Sequence, residues 1–476
     1  MTTPDPLMCA LPGPERLCAL LDALGAGLLE REHAVRLALL AALGGEHVLL
    51  IGPPGTAKSA LARRLHRAFA DTRWFERLLT RFSTPEELFG PLSLKALEDD
   101  RYERLTDGFL PTAGIAFLDE VFKANSAILN ALLTLLNERE FDNGTMRIRT
   151  PLVAVVAASN EVPADEALHA FYDRFLVRVP VQPVGDASFE AMLALDEAAP
   201  PPGAEPLTPA QAEAVRAARE AVALGVGFVD GCRRLRAWLA ERQQPLSDRR
   251  WRQIVALART AAVTEGRDAV DIYDLWLAPY VASAEPAVVP ALQAWFTNDA
   301  LALPSAEAPW LERAVQAFDR QLGIEQSAND EGGDDSAGKL ALLRAIGRGD
   351  GTDDAAPGMQ RIVSERLEAR LRRRFSPVHV QARVAQVAEV EAQVAAARTA
   401  TANRADAQAQ ALAGRVWLPP ALRAQLDAAY AQAMALLDQF AARLQAAREG
   451  FAELPLKESD APEPPPPPVA LEAALP

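Results

Sequence analysis

The chain has 476 residues, half of them apolar and 24% charged, with a net charge of -15 and a pI near 5.0. At roughly 150 residues per domain the length suggests about three domains; the composition excludes a wholly disordered chain, a collagen and a small disulfide scaffold. So acidic a chain gains no counterion-release energy on DNA or anionic lipid, which disfavours both as bulk partners but leaves room for a local basic pore. The three cysteines, Cys9, Cys18 and Cys232, lack metal-ligand spacing, which fits a reducing cytoplasm rather than a structural zinc. The first residues have no basic n-region and include Asp5 and several prolines, unlike a signal peptide. The most apolar early run, 34–43, is cut by Arg36 and is far short of the ~20 residues of a membrane span. These features predict a soluble cytoplasmic protein.

In chain order, residues 15–45 place Leu17, Leu20, Leu21, Leu24 and Leu28, then Val35, Leu37, Leu39, Leu40 and Leu43, at helical spacing. From 47 to 180 short apolar strands alternate with helices, the strands falling at 47–52, 74–82, 114–120, 151–160 and 174–181. Near-continuous apolar runs separated by helices predict a parallel sheet buried on both faces. Within this unit Asn143-Gly144 marks a hairpin turn over 141–148. A stretch rich in Pro, Ala and Asp, 183–209, connects to 210–300, which reads as helices only. Two acidic Gly-rich stretches, 329–339 and 347–358, read as loops. Beyond them Val380, Val384, Val387 and Val394 keep a near 4-3 spacing, as do Leu422, Leu426, Ala429, Ala433, Leu437, Phe440 and Leu444. That spacing predicts long helices packing as a hairpin or coiled coil. The proline run 462–468 reads as a solvated polyproline II tail, and the basic run 366–375 as a solvated helix face.

The strongest chemical signal is GPPGTAKS, 52–59, between the strand HVLLI and the helix SALARRLHRAF. Strand, glycine-rich turn, Lys, Ser and helix make a phosphate-binding loop. Gly52, Pro53, Pro54, Gly55, Thr56 and Ala57 form the loop around the phosphates, backbone N–H groups at the helix N-terminus point at them, Lys58 reaches the β and γ oxygens, and Ser59 offers a hydroxyl to Mg²⁺. The usual pattern has Gly before the Lys; Ala57 at that place predicts a negative φ at the helix start. A second strand, 114–120, ends in Asp119-Glu120. Adjacent carboxylates at the end of a buried strand face a cation or water: Asp119 in the Mg²⁺ shell, Glu120 on the attacking water. A third strand, 153–160, ends in Ser159 and Asn160, which puts Asn160 between Glu120 and the γ-phosphate, orienting that water.

In this order the motifs resemble the AAA+ ATPases, and within them the MoxR family, closest to its RavA branch. The matching residues are 30–43, 52–59, 80–93, 102–120, 123–140, 158–164, 168–179 and 246–251, covering roughly 15–290. The resemblance implies a hexameric ring with ATP and Mg²⁺ at each interface, a sheet of order 5-1-4-3-2, and a helical lid behind it. It implies that 83–112 faces the ring surface or pore. It makes Arg174 the arginine finger for the neighbour's γ-phosphate, and Arg249 the lid arginine acting on its own subunit's nucleotide, with Arg250 as rival. The expected division is an AAA+ α/β nucleotide-binding core over 1–182, a connection 183–209, an all-α lid 210–300, a linker 301–358, a C-terminal helical domain 359–455 and a Pro-rich tail 456–476. The resemblance further implies a chaperone-type remodeller that activates a client complex with a von Willebrand factor A (vWA) domain partner. Metal chelatase, Rubisco activase and DNA motor are the alternative readings.

Overall fold

A computed structural model describes residues 11–163, 165–195, 204–304, 309–327, 373–457 and 464–470. The elements used below are helices α1 (Pro14–Gly25) and α2 (Glu32–Gly44), strand β1 (Val48–Ile51), α3 (Lys58–Arg67), β2 (Trp74–Leu78) and β3 (Ile115–Asp119). They continue with α4 (Ser126–Glu138), the hairpin strands β4 (Glu140–Asn143) and β5 (Met146–Arg149), β6 (Ala154–Ser159), α5 (Glu166–Tyr172) and β7 (Val177–Pro180).

Val48, Leu49, Leu50 and Ile51 are all buried, so β1 needs cover on both faces and lies inside the sheet. The order is β2-β3-β6-β1-β7 with every pairing parallel. This is the expected 5-1-4-3-2 order, since β6 and β7 are the fourth and fifth core strands in sequence. Register aligns Ile51 with Ser159 and Pro180, and Leu78 with Asp119. The strand ends therefore meet along one edge, where the order reverses at β1, the place at which open α/β sheets bind ligands. One apolar cluster under this edge joins Leu118, Val121, Leu132, Phe141, Phe171 and Phe175. The hairpin forms, with Asn143 paired to Met146, so its two loop residues are Gly144 and Thr145 rather than Asn143-Gly144. Asn143 instead braces the insert: its Oδ1 accepts from Arg104 N at 2.6 Å and its Nδ2 donates to Arg104 O at 3.1 Å.

After β7 the chain forms α6 (Asp186–Leu193), inside the stretch read as a connection, and then the lid helices α7 (Pro209–Ala218), α8 (Val226–Glu241) and α9 (Asp248–Thr264). Thr208 and Gln211 close a capping box on α7, and Ser247 caps α9 by accepting from Arg250 N. The lid is not purely helical. Ala223–Leu224 and Ala269–Val270 pair as a two-residue parallel ladder, β8 and β9.

The chain divides into two compact units: 1–303 with 412–423, and 304–411 with 424–476. This differs from the expected boundaries in two ways. Helix α10 (Pro309–Ser327) lies where a linker was expected and belongs with α11 (Pro377–Leu412) and α12 (Pro420–Ala452). Residues 412–423, the end of α11, the turn after it and the first residues of α12, belong instead with the nucleotide-binding core and lid. Within the second unit the ion pairs Arg448–Glu391 and Arg398–Asp438 set α11 and α12 antiparallel. Leu311, Val315, Phe318, Val387, Val394, Leu437, Phe440 and Leu444 form its core, as the spacing predicted. The proline segment is not simply solvated. Val469 packs on that core, and Arg383 Nη1 donates to Pro467 O at 2.8 Å. The Gly-rich stretches and most of 366–375 lie outside the described residues.

Candidate active site

The phosphate loop follows β1 and is shaped by two glycines for different reasons. A Cβ on Gly52 would collide with the Val181 carbonyl, while Gly55 adopts φ +80°. Thr56 Oγ1 donates to Pro53 O at 3.0 Å and closes the loop. Ala57 is a correction to the sequence reading: it caps α3 in the left-handed region, φ +63° and ψ +25°, not at negative φ. The loop needs the left-handed turn whichever residue stands there, and the Cβ of Ala57 is accepted at a conformational cost.

Lys58 opens α3 and is 8% exposed. Its Nζ donates to Gly52 O at 2.7 Å and Pro53 O at 2.8 Å, and approaches Asn160 Oδ1 at 3.5 Å. Burial lowers its pKa, opposed by the carboxylates of Asp119 and Glu120. Asp119 ends β3 with Oδ1 accepting from Glu120 N at 3.0 Å. Glu120 turns the chain at φ +53°, a left-handed non-glycine conformation that aims its side chain away from that of Asp119. Its carboxylate accepts from Asn160 Nδ2 and pairs with Lys123 Nζ at 3.4 Å. Lys58 and Asn160, 102 residues apart, and Asn160 and Glu120, 40 residues apart, thus form one hydrogen-bonded line at the strand-end edge. Ser59 sits one helical position past Lys58, and hydroxyl and carboxylate oxygens of Ser59 and Asp119 are the donor type that Mg²⁺ takes beside phosphate.

Two arginines do not join this line. Arg174 sits in the short turn before β7, at the edge where strands begin, and its Nε is buried with no hydrogen-bond partner among the described residues. Asp173, a candidate ion-pair partner for it, is taken by Arg250 at 2.9 Å and Arg178 at 3.4 Å. Arg249 lies near that same edge. Its Nη2 donates to Asn137 Oδ1 at 3.0 Å at the end of α4, and its charge acts on Glu46, two residues before β1. Among the described residues, the hydrogen-bond partner of Arg249 is Asn137 and not a residue of the phosphate loop. Arg250 is structural: 2% exposed, it donates to Val281 O at 2.6 Å and Leu176 O at 2.9 Å besides Asp173.

Sequence reasoning missed Arg31. Its guanidinium braces the phosphate loop from behind, Nε donating to Thr56 O at 3.3 Å and Nη2 to Gln182 O. Nothing local signals this role, because both acceptors are backbone atoms brought near by the sheet.

A lysine held on the Gly52 and Pro53 carbonyls after β1 opposite an acid–amide pair, on a sheet whose order reverses at β1 and beside a helical lid, defines an ATPase fold of the AAA+ class. A family model describing the MoxR domain of MoxR–vWA–β-propeller ternary systems matches residues 15–200, and one describing an AAA lid domain matches 229–296. Two uncharacterized proteins of Methanocaldococcus jannaschii are each 40% identical, over 271 and 256 residues, or 56% and 53% of this chain and 70% and 66% of theirs. Protein MoxR of Paracoccus denitrificans is 31% identical over 167 residues, 33% of this chain and 48% of that protein. The chain belongs to the MoxR family of AAA+ ATPases. Among the described residues no helix is long and apolar enough to cross a membrane.

Proposed function

We propose that this protein hydrolyses ATP and uses the cycle, as a hexameric ring in the cytoplasm, to remodel or activate a client complex together with a vWA-domain protein. The observation that carries the hydrolytic part is the Lys58–Asn160–Glu120 line with Asp119 beside it. Gly52, Pro53, Pro54, Gly55, Thr56 and Ala57 wrap the phosphates, and Lys58 turns an N–H from the loop carbonyls to the β and γ oxygens. Ser59 and Asp119 would hold Mg²⁺, which would neutralise charge on those oxygens. Glu120 polarises the attacking water, and Asn160, tied to both Glu120 and Lys58, fixes where that water stands. The water oxygen bonds to the γ-phosphorus as the bond to the bridging oxygen breaks, leaving ADP and phosphate. Arg174 acts across a subunit interface.

The description of the matching family supports the vWA partner, and the spelling of the motifs from 52 to 59 and 102 to 120 supports a RavA-like branch. Client and pathway stay unnamed. The test compares two variants. Lys58→Ala should lose binding of a fluorescent ATP analogue, whereas Glu120→Gln should bind it and release phosphate very slowly. Equal loss of binding in both would remove the separate roles assigned to phosphates and water.

A further inference from the structure

Beside the phosphate loop lies a cavity of about 900 Å³, within the compact unit that holds the core and lid. Its volume falls in the range of small-ligand pockets, about 300–1,000 Å³. Leu21, Leu28, Val35 and Pro180 give it apolar walls, and Arg31, which donates to Thr56 O, connects it to the phosphate loop. A phosphate loop fixes only the charged end of a nucleotide. The base and ribose need an apolar slot near it, and this cavity reaches the loop through Arg31, which lines the cavity and donates to Thr56 O.

One wall comes from an unexpected part of the chain. Pro419, Pro420 and Ala421 line the cavity; Pro419 ends the turn between α11 and α12 and Pro420 and Ala421 open α12, about 360 residues beyond Lys58. Consecutive prolines restrict that turn to few backbone shapes. Its seat is firm. Trp417 is 1% exposed and donates from Nε1 to Thr264 Oγ1 at 2.8 Å. Glu265 Oε1 accepts from Val416 N at 2.8 Å and Trp417 N at 3.1 Å. Arg415 Nη1 donates to Asp274 Oδ1 at 2.9 Å. Arg36 links cavity and turn: it lines the cavity and donates from Nη1 to Val416 O at 2.5 Å.

We propose that Pro419–Ala421 forms part of the pocket for the base and ribose, and that its occupancy is passed through Arg36 to residues 412–423. The inference rests on the reading that the loop binds ATP, and it assigns the turn a role in affinity and in signalling the nucleotide state. Arg36 acts here as a positioning residue. The C-terminal helices then receive the nucleotide state directly, at the residues where α11 ends and α12 begins.

The test uses the full chain, with ADP and inorganic tripolyphosphate as probes. Ala421→Trp fills the wall and should weaken ADP by about tenfold or more, some 1.4 kcal/mol, while tripolyphosphate binding holds, because the loop is untouched. In the wild type, ADP should slow amide hydrogen exchange across 412–423, and tripolyphosphate should not. This second measurement needs no variant, so a poorly folding Ala421→Trp leaves the proposal testable. Wild-type binding of ADP with unchanged exchange in 412–423 would overturn the inference and leave the ATP reading standing. So would equal weakening of both probes by Ala421→Trp, since the turn would then act on the phosphate loop. A wild type that binds neither probe would remove the ATP reading itself, and this inference with it.

Discussion

At the scale of single residues, the conformations that serve the site are also sources of strain. Ala57 holds φ +63° where glycine would rest freely. A left-handed L-residue costs roughly 1–2 kcal/mol, and glycine gives back about 0.5–1 through its more flexible unfolded chain. Ala57→Gly should therefore raise unfolding stability by about 1 kcal/mol, read from the urea midpoint, with nucleotide affinity retained. A fall in stability would mean that the Cβ makes contacts worth more than the strain. His47, just before β1, carries a different tension. It is fully buried, its Nδ1 accepts from Val155 N at 3.1 Å, and its Nε2 lies 3.0 Å from Leu136 O. Since Nδ1 is an acceptor, the proton sits on Nε2, and a second proton would meet the Val155 N–H. Burial, helped by Arg139, pulls its pKa down to about 3 from 6.5. Below pH 6.5 the unfolded chain gains a proton that the fold refuses, so stability falls with pH until about 3. Glu46 beside it works the other way: burial lifts its carboxyl to about 7 from 4.5, so its contribution is present below 4.5 and lost as pH rises through 7. The two offset each other between pH 4.5 and 6.5. His47→Gln keeps a donor and an acceptor but does not titrate. The stability difference between wild type and His47→Gln should move by about 1.4 kcal/mol per pH unit from 6.5 to 4, toward the variant as pH falls. A constant difference would show that His47 ionises freely in the fold.

At the scale of elements, the three central strands were legible because parallel strands buried on both faces must be nearly all apolar, and Val48–Ile51, Ile115–Leu118 and Ala154–Ala158 are. The polar ends of those strands were legible for the same reason: Asp119 and Asn160 stand out against an apolar background. Other features depended on partners remote in sequence. Asn143 looked like a turn former, yet its amide is used by Arg104. The choice between Arg249 and Arg250 could be framed from helical geometry but not decided, since the acceptors of Arg250 lie on two other segments. Those acceptors now separate the pair by measurement. Arg250 ties α9 to the turn before β7 and to Val281 while 2% exposed. Arg250→Ala would leave the Val281 and Leu176 carbonyls without their buried donor and Asp173 with Arg178 alone, and should cost about 1–3 kcal/mol for each unsatisfied carbonyl. Arg249→Ala, at an exposed residue with one side-chain partner, should stay within about 0.5 kcal/mol of wild type in unfolding. Thermal melts of both variants check this directly, and similar losses in the two would mean that Arg249 is also part of the seam between lid and core.

At the scale of the whole molecule, the sequence divides at the Gly-rich stretches, but the chain's contacts do not: Trp417 and Arg415 reach Thr264 and Asp274 across more than 140 residues. Periodicity cannot report such a return, because the helices on either side keep their own spacing unbroken. The same limit applies to residues whose partner is another copy of the chain. Arg174 lies at the edge where strands begin, with Lys58 at the edge where they end, so one chain cannot bring the two together without unfolding β7. On the proposal that Arg174 reaches the γ-phosphate of a neighbour, the contact is worth roughly 10³–10⁵ in rate. Arg174→Ala should then bind ATP nearly as wild type does and hydrolyse almost none. Mixing gives the sharper result. Arg174→Ala keeps an intact phosphate loop and offers no finger, whereas Lys58→Ala offers a finger beside a dead loop. Rings containing both variants hold some interfaces with a live loop on one side and Arg174 on the other. Steady-state phosphate release at fixed total protein, once subunit exchange has been verified, should recover part of the activity that each variant lacks alone. If demonstrably mixed rings stay inactive, Arg174 does not act in trans, and its place before β7 is a matter of packing.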